Sequence, residues 1–177
     1  MSVVLAKGHT LFVADTSVTE MPDAEDLVEI AVGAAQAVKT LGYAPRVAFM
    51  SYSTFGNPMG QRSEKVIEAV SMLDEMGVDF EYEGEMSPEL ALEPERRVNY
   101  PFMRLTGPAN VLIMPAIHSA AISTQLVQSI GGATVIGPIL LGLSKAVQIA
   151  PLSASVSKIL QMATLAAYEQ DVLEAQS

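Results

Sequence analysis

The chain has 177 residues, half of them hydrophobic, with a formal net charge of −10 and a mean hydropathy of +0.32. That length suits one domain with a full core, and the acidic balance argues against nucleic acid or an anionic membrane as partner, because each phosphate contact needs local positive charge. Cysteine is absent, which removes disulfides, thiolate catalysis and cysteine metal sites.

The apolar excess points to a parallel sheet buried on both faces and to an interface with another copy or another domain. The amino terminus has no basic region followed by a long apolar core, so no export signal is expected and the cytoplasm is the expected compartment. No charged residue falls between Arg104 and Lys145. Proline, glycine and polar residues interrupt this stretch too often for a membrane span, and it reads as buried strands and a buried helix.

In chain order, residues 10–15 (TLFVAD) form the first expected strand. Pro22 then opens a helix whose first turn carries Asp23, Glu25 and Asp26, where acidic groups favour the helix dipole. Leu27, Ile30, Ala31, Ala34, Val38 and Leu41 recur at helical spacing, and Gly42 follows as the residue that ends the helix. Residues 46–51 are the next strand, and a helix runs from about Arg62 to Met76 with Val66, Ala69, Val70 and Leu73 on its buried face. Residues 78–82 alternate as an edge strand. Residues 87–97 carry a short helix or two turns, started by Pro88 and broken by Pro94.

Residues 110–114 (NVLIM) read as a central strand, 119–130 as a helix ended by Gly131-Gly132, and 134–136 and 146–149 as two more short strands. Ser153 or Ser155 caps a final helix with a stripe of Val156, Ile159, Leu160, Ala163 and Ala167. Strands and helices in alternation imply an α/β fold, a three-layer α/β/α domain with a largely parallel sheet.

In such a sheet the mouth where a strand ends and a helix begins is the usual place for a ligand. Residues 47–60 (VAFMSYSTFGNPMG) have that form. Ser51, Ser53, Thr54, Gly56 and Asn57, with the backbone N–H groups of the following helix, suit phosphate or carboxylate oxygens. An ordinary strand-to-helix connection is the competing reading. His118 and Ser119 follow a second strand at the point where a crevice would open, with a plain loop histidine as the alternative. Gly137-Pro138 shapes the crevice wall or only ends a strand. Arg96, Arg97 and Arg104 read first as partners for Glu93, Glu95 or a neighbouring subunit. The ten methionines read as core or interface filler, and no His/Asp/Glu group has convincing metal spacing.

Several segments, in order and over nearly the whole chain, resemble the phosphotransacetylase family: FVADTSV (12–18), AEDLVEI (24–30), residues 45–60, GEMSPELAL (84–92), ANVLIMP (109–115) and GPILLG (137–142). The resemblance implies the second domain of such an enzyme, phosphotransacetylase-like and so isocitrate/isopropylmalate dehydrogenase-like in fold. Residues 1–150 would form its sheet domain, which carries the dimer contact in that family. Residues 151–177 would form a helix returning toward a first domain that lies upstream. GHTLFVADTSV, GPILLGLSKAV and the ending around 152–164 are most similar to the phosphotransacetylase-like C-terminal domain of bacterial hybrid NADP-dependent malic enzymes.

That likeness implies an acetyl-CoA-sensing, oligomerising segment with no cofactor of its own, joined to an upstream malic-enzyme catalytic region that holds NADP and a divalent metal. The candidate acetyl-CoA contacts are then Ser51, Ser53, Thr54, Gly56, Asn57, His118, Ser119, Gly137, Pro138 and Lys158. Arg62 and Lys65 are further candidates for a CoA phosphate, against a solvated helix face. The expected partners are acetyl-CoA, a second copy in a homodimer or higher oligomer, and the upstream catalytic region.

The family pattern is departed from at residues 148–160 (QIAPLSASVSKIL). Phosphotransacetylases carry an Asn-Asp-Leu-Ser-Arg-Gly-type segment there, with an acidic residue a few positions on. The serine and arginine handle acetyl and phosphate; the carboxylate takes the thiol proton of CoA. Aligned without gaps, those positions fall on Pro151, Leu152 and Lys158. Proline and leucine side chains donate nothing to an oxyanion, and lysine has the wrong charge for a base. Losing a single oxyanion donor typically costs about two to three powers of ten in rate, so no catalytic residue is assigned. An active phosphate acetyltransferase and a purely structural dimerisation module are the alternatives.

Overall fold

The computed structural model describes residues 1–58 and 60–175, the side chains of Gln61, Arg62 and Pro94 excluded. The strands are β1 Ser2–Ala6, β2 His9–Ala14, β3 Arg46–Met50, β4 Glu81–Met86, β5 Val111–Ile113 and β6 Thr134–Ile136. The helices are α1 Ala24–Thr40, α2 Gln61–Met76, α3 Pro88–Leu92, α4 Ile117–Gly131 and α5 Val156–Ala175, with a 3-10 segment over Pro94–Asn99. One sheet of order β4-β3-β5-β2-β1-β6 runs through the middle. Its β4, β3, β5 and β2 are parallel, and β1 runs antiparallel to both β2 and β6. Among the described residues no helix is long and apolar enough to cross a membrane.

Alternation along the strands sorts the core into two layers. Phe12, Ala14, Val47, Phe49, Val111 and Ile113 point to one face and pack under α1 and α2. On the other face, Ala48, Met50 and Leu112 meet α3 through Leu90 and Ala91. Val4 and Val13 on that same side meet Ala120 of α4. Helix α1 begins at Ala24, so Pro22 stands outside it and Asp23 is its N-cap: the Asp23 carboxylate accepts the Asp26 N–H at 2.9 Å, and the Asp26 carboxylate accepts the Asp23 N–H at 3.1 Å. This reciprocal cap satisfies two donors of the open helix end. Leu27, Val28, Ala31, Ala34, Ala35 and Val38 form its buried face, and α2 buries Val66, Ala69, Val70 and Leu73 as its spacing predicts.

Four expectations are corrected. Strand β1 was not anticipated; it pairs with β2 through a tight two-residue turn in which Lys7 and Gly8 both take positive φ. The edge strand lies at Glu81–Met86, three residues later than the alternation at 78–82 places it. Residues 146–149 form no strand. Gln148 instead receives the Leu140 N–H on its side-chain oxygen at 3.2 Å and holds the segment as an irregular loop. Finally, the charge-free stretch does not bury its helix. Helix α4 meets the sheet through Ala120, while Ile122, Leu126 and Ile130 are 64%, 55% and 80% exposed. In α5, likewise, Val156, Ile159 and Leu160 face outward; Met162, Leu165 and Tyr168 make its contacts.

Candidate functional site

The C-terminal ends of the four parallel strands lie along one edge of the sheet, and the loops that leave them hold most of the candidates. After β3, the Ser51 N–H donates to the Met86 carbonyl at 2.9 Å, which ties the loop to the end of β4. The Ser51 and Ser53 hydroxyls lie 2.9 Å apart, and Ser53 is fully buried, so Ser51 is the one of the pair that reaches solvent. Thr54 and Asn57 exchange backbone hydrogen bonds of 3.0 and 3.1 Å around Phe55 and Gly56, both at positive φ. The Thr54 hydroxyl accepts the Ser87 N–H at 3.1 Å. Asn57 is exposed at the rim.

Glu85 grips the same turn from β4. Its carbonyl accepts the Phe55 N–H at 3.0 Å, and its carboxylate accepts the Gly56 N–H at 2.8 Å while only 1% exposed. Gly84 beside it lets β4 come this close, because a Cβ there would sit 2.7 Å from the Phe49 Cβ.

Helices α2 and α4 start alike. Neither N-cap, Gly60 or Ala116, makes a side-chain cap bond. In both helices the serine three residues on turns back: the Ser63 hydroxyl donates to the Gly60 carbonyl and the Ser119 hydroxyl to the Ala116 carbonyl, each at 2.7 Å. Among the described residues, no side chain caps the first-turn N–H groups, in contrast to α1. His118 is three-quarters exposed, with Nε2 3.7 Å from the Glu20 carboxylate.

At the far end of the edge, Gly137 packs on the start of β1, where a Cβ would lie 2.8 Å from the Ser2 hydroxyl. The Ile139 N–H donates to the Met1 carbonyl at 2.7 Å. Lys158, in the first turn of α5, donates to the Val135 carbonyl at 3.3 Å, and partial burial lowers its pKa below the usual lysine value. The Ser155 hydroxyl accepts the Lys158 N–H at 3.2 Å and so caps α5, one of the two choices the sequence offered.

The candidates thus form two groups and a bridge. The loop at Ser51–Asn57 leaves β3; Gly137, Pro138 and Lys158 lie at β6, four strand steps away or roughly 19 Å at about 4.8 Å per step. His118 and Ser119 follow β5 between them. A cleft of about 380 Å³ opens between α1 and the GPILLG segment, lined by Asp15, Thr19, Ile30, Gly33, Leu141 and Gly142 among others. A second cleft of about 260 Å³ continues on the other side of that segment toward Leu165 and Tyr168 of α5.

The charged candidates are mostly committed to structure. Lys65 donates to two backbone carbonyls, and Arg62 lies outside the described side chains. Arg96 pairs with Glu93 at 2.6 Å and Glu89 at 3.2 Å. Arg104 binds Glu83 and Asp74 and lies over the Tyr82 ring; partial burial works against its charge, yet the two carboxylates outweigh that and raise its pKa.

The sequence reading passed over Asp15 and Glu85. The Asp15 carboxylate accepts the N–H groups of Ser17, Val18 and Thr19 at 2.8, 2.9 and 2.6 Å and shapes the loop before α1. An aspartate at a strand end followed by Thr-Ser is the signal that could have found it. Nothing local marks Glu85, whose partner is 29 residues away.

Known proteins resemble this chain in sequence and in fold. The chain is 56% identical over 142 residues to an NADP-dependent malic enzyme of Rhizobium meliloti, a match that takes in 80% of this chain and 19% of that protein. It is 33% identical over 141 residues to a phosphate acetyltransferase of Bacillus subtilis, covering 78% of this chain and 44% of the other. The chain thus spans about a fifth of the length of its malic-enzyme relatives. A phosphotransacetylase from Streptococcus pyogenes superposes with a TM-score of 0.87 at 27% identity, over 97% of this chain and 54% of that one. The family model described as phosphate acetyl/butaryl transferase matches residues 1–167. On sequence and on fold together, this chain belongs to the phosphate acetyl/butaryl transferase family.

Proposed function

We propose that this chain is the non-catalytic, acetyl-CoA-sensing and oligomerising part of an NADP-dependent malic enzyme of the cytoplasm. The observation that carries the reading is the segment 148–160. It offers Pro151, Leu152 and Lys158 where acyl transfer needs a serine, an arginine and a carboxylate. Leu152 is fully exposed, and Lys158 is turned to the Val135 carbonyl. The similarity to malic enzymes over 80% of the chain points the same way.

Acetyl-CoA would lie along the sheet edge and the clefts beside GPILLG. Uncapped helix ends and Lys158 would meet its anionic groups; the acidic surface elsewhere would leave few competing anion sites. Malate oxidation, NADP and a divalent metal would belong to a catalytic region upstream, and α5, with its bare stripe of Val156, Ile159 and Leu160, would return toward the adjoining domain. The exposed face of α4 would hold a second copy. Coupling between such sites is typically about 1–3 kcal/mol and reciprocal, so ligands of the malate site would change acetyl-CoA affinity by the same factor.

Calorimetric titration of the longer parent protein with acetyl-CoA, beside an assay for acetyl transfer from CoA to phosphate, tests the reading. Saturable heat with no turnover above background is the expected result. Turnover would favour the runner-up, an active phosphate acetyltransferase, which the 33% identity to the Bacillus subtilis enzyme keeps in view. No heat at millimolar ligand would leave a structural dimerisation module.

A further inference from the structure

Lys65 occupies an unfavourable place for a cation. It is the fifth residue of α2, close to the positive end of that helix, and it is half-buried. Its long side chain gives up rotamer freedom to be held there. The ammonium donates to the Pro22 carbonyl at 2.7 Å and to the Pro115 carbonyl at 2.9 Å.

Those two carbonyls are not arbitrary. Pro22 immediately precedes Asp23, the N-cap of α1, and Pro115 immediately precedes Ala116, the N-cap of α4. A single charge on α2 therefore fastens the entries of three helices that arise from β2, β3 and β5, across 43 and 50 residues of sequence. The loop ahead of α1 is rigid in its own right through Asp15, and the turn ahead of α2 through Glu85. At the entry to α4, the Met114 N–H donates to the Ala14 carbonyl at 2.6 Å, and among the described residues Lys65 holds the Pro115 carbonyl.

We propose that Lys65 is a positioning residue. It sets the spacing of the α1, α2 and α4 entries, so that the crevice holding His118 and Ser119 is built before a ligand arrives. That the crevice takes acetyl-CoA rests on the reading above; the fastening of the loops does not.

The experiment uses the whole chain with Lys65→Met and Lys65→Arg, and with Lys145→Met, an exposed lysine, as control. Amide hydrogen exchange is followed residue by residue without ligand, and acetyl-CoA affinity by calorimetry. Charge-assisted hydrogen bonds that hold a loop resist local opening. In the Met variant, exchange of the Asp23, Asp26 and Leu27 amides at the α1 entry and of the Met114 and Ala120 amides at the α4 entry is expected to quicken by about tenfold or more, with β3 and β5 unchanged. The Arg variant, which can still donate to two carbonyls, recovers most of the protection, and the control behaves as wild type. Acetyl-CoA binding weakens in the Met variant by a comparable factor.

Unchanged exchange at those two entries would overturn the proposal. So would a rise spread evenly over the chain, which a merely structural lysine produces. If the Met variant fails to fold, the Arg variant and Lys65→Gln carry the same comparison. Should wild-type protein give no heat with acetyl-CoA, the functional reading falls and the exchange pattern alone decides the role of Lys65.

Discussion

The bare face of α4 makes the proposed oligomer testable by one substitution. Ile122, Leu126 and Ile130 recur every four residues, so they share one side of the helix, and no charge lies between Arg104 and Lys145 to resist desolvation. Two copies of a chain with net charge −10 repel, and this uncharged face is where they can approach at least cost. Complete burial of such a side chain is worth about 1.5–3 kcal/mol. With roughly half to four-fifths of each still exposed, covering them would contribute about 1–2 kcal/mol apiece, and a two-fold axis counts each residue twice.

Leu126→Glu in both copies removes about 2–4 kcal/mol of that and places two carboxylates near the axis, where each needs water. Together these effects should weaken the dimer by at least about a thousandfold, since each 1.4 kcal/mol is tenfold. The monomer should barely notice. Leu126 is already exposed, leucine and glutamate have similar helix propensity, and surface changes typically stay within about 0.5 kcal/mol. Sedimentation velocity at tens of micromolar, with thermal melting as control, reads both effects. A wild-type chain that sediments as a monomer, or a Glu variant that keeps the wild-type dimer, would refute the reasoning.

Other outcomes follow from the core and from its charges. Leu27→Ala, at a side chain with no exposed surface between α1 and the sheet, should cost about 2–5 kcal/mol in urea unfolding with an unchanged m-value. Glu85→Ala should cost about 1–3 kcal/mol because the part-buried Gly56 N–H loses its acceptor, while Glu85→Gln, which keeps an oxygen there, should recover most of it. The Tyr82 pKa is raised by desolvation and by its hydrogen bond to Asp74, and the Asp74 pKa is lowered by hydrogen bonds from Tyr82 and Arg104. Tyr82 therefore contributes stability that is present below the usual phenol range and lost as pH climbs through its raised value. The Asp74 contribution is present above the usual carboxylate range and lost as pH falls through its lowered value. Denaturation across pH should show Tyr82→Phe flattening the alkaline limb; a limb of unchanged slope would count against this pairing.

How much of this was legible follows from the range of each signal. The acidic start of α1, the face of α2 and the end of α1 at Gly42 were readable because their partners lie within four residues. The three-layer order and the loop after β3 were readable from periodicity and from the family likeness. Strand β1 escaped although its apolar run SVVLA and the Lys7-Gly8 turn are local marks, and it pairs with the adjoining β2 as well as with β6. The face of α4 misled because an apolar helix without a neighbour reads the same in sequence as one inside a core. Lys65 was weighed as a CoA-phosphate contact against a solvated helix face; the carbonyls it meets, 43 and 50 residues away, leave no local mark.

Geometry also bears on which ligand the edge would suit. The loop at Ser51 and the group at Gly137 and Lys158 stand four strand steps apart, too far for one acetyl phosphate to touch both. A molecule with an acyl end, a flexible arm and a phosphorylated head has the reach. The side chains along the edge are held by the fold itself. Ser53 is sealed, Thr54 accepts a backbone hydrogen bond, and the turn they belong to is clamped by Glu85. Lys158 is a partly desolvated cation beside a carbonyl, so a phosphate arriving there would restore a charge partner that no described residue provides. A site that gains an ion pair only on binding has the differential free energy that a sensor requires.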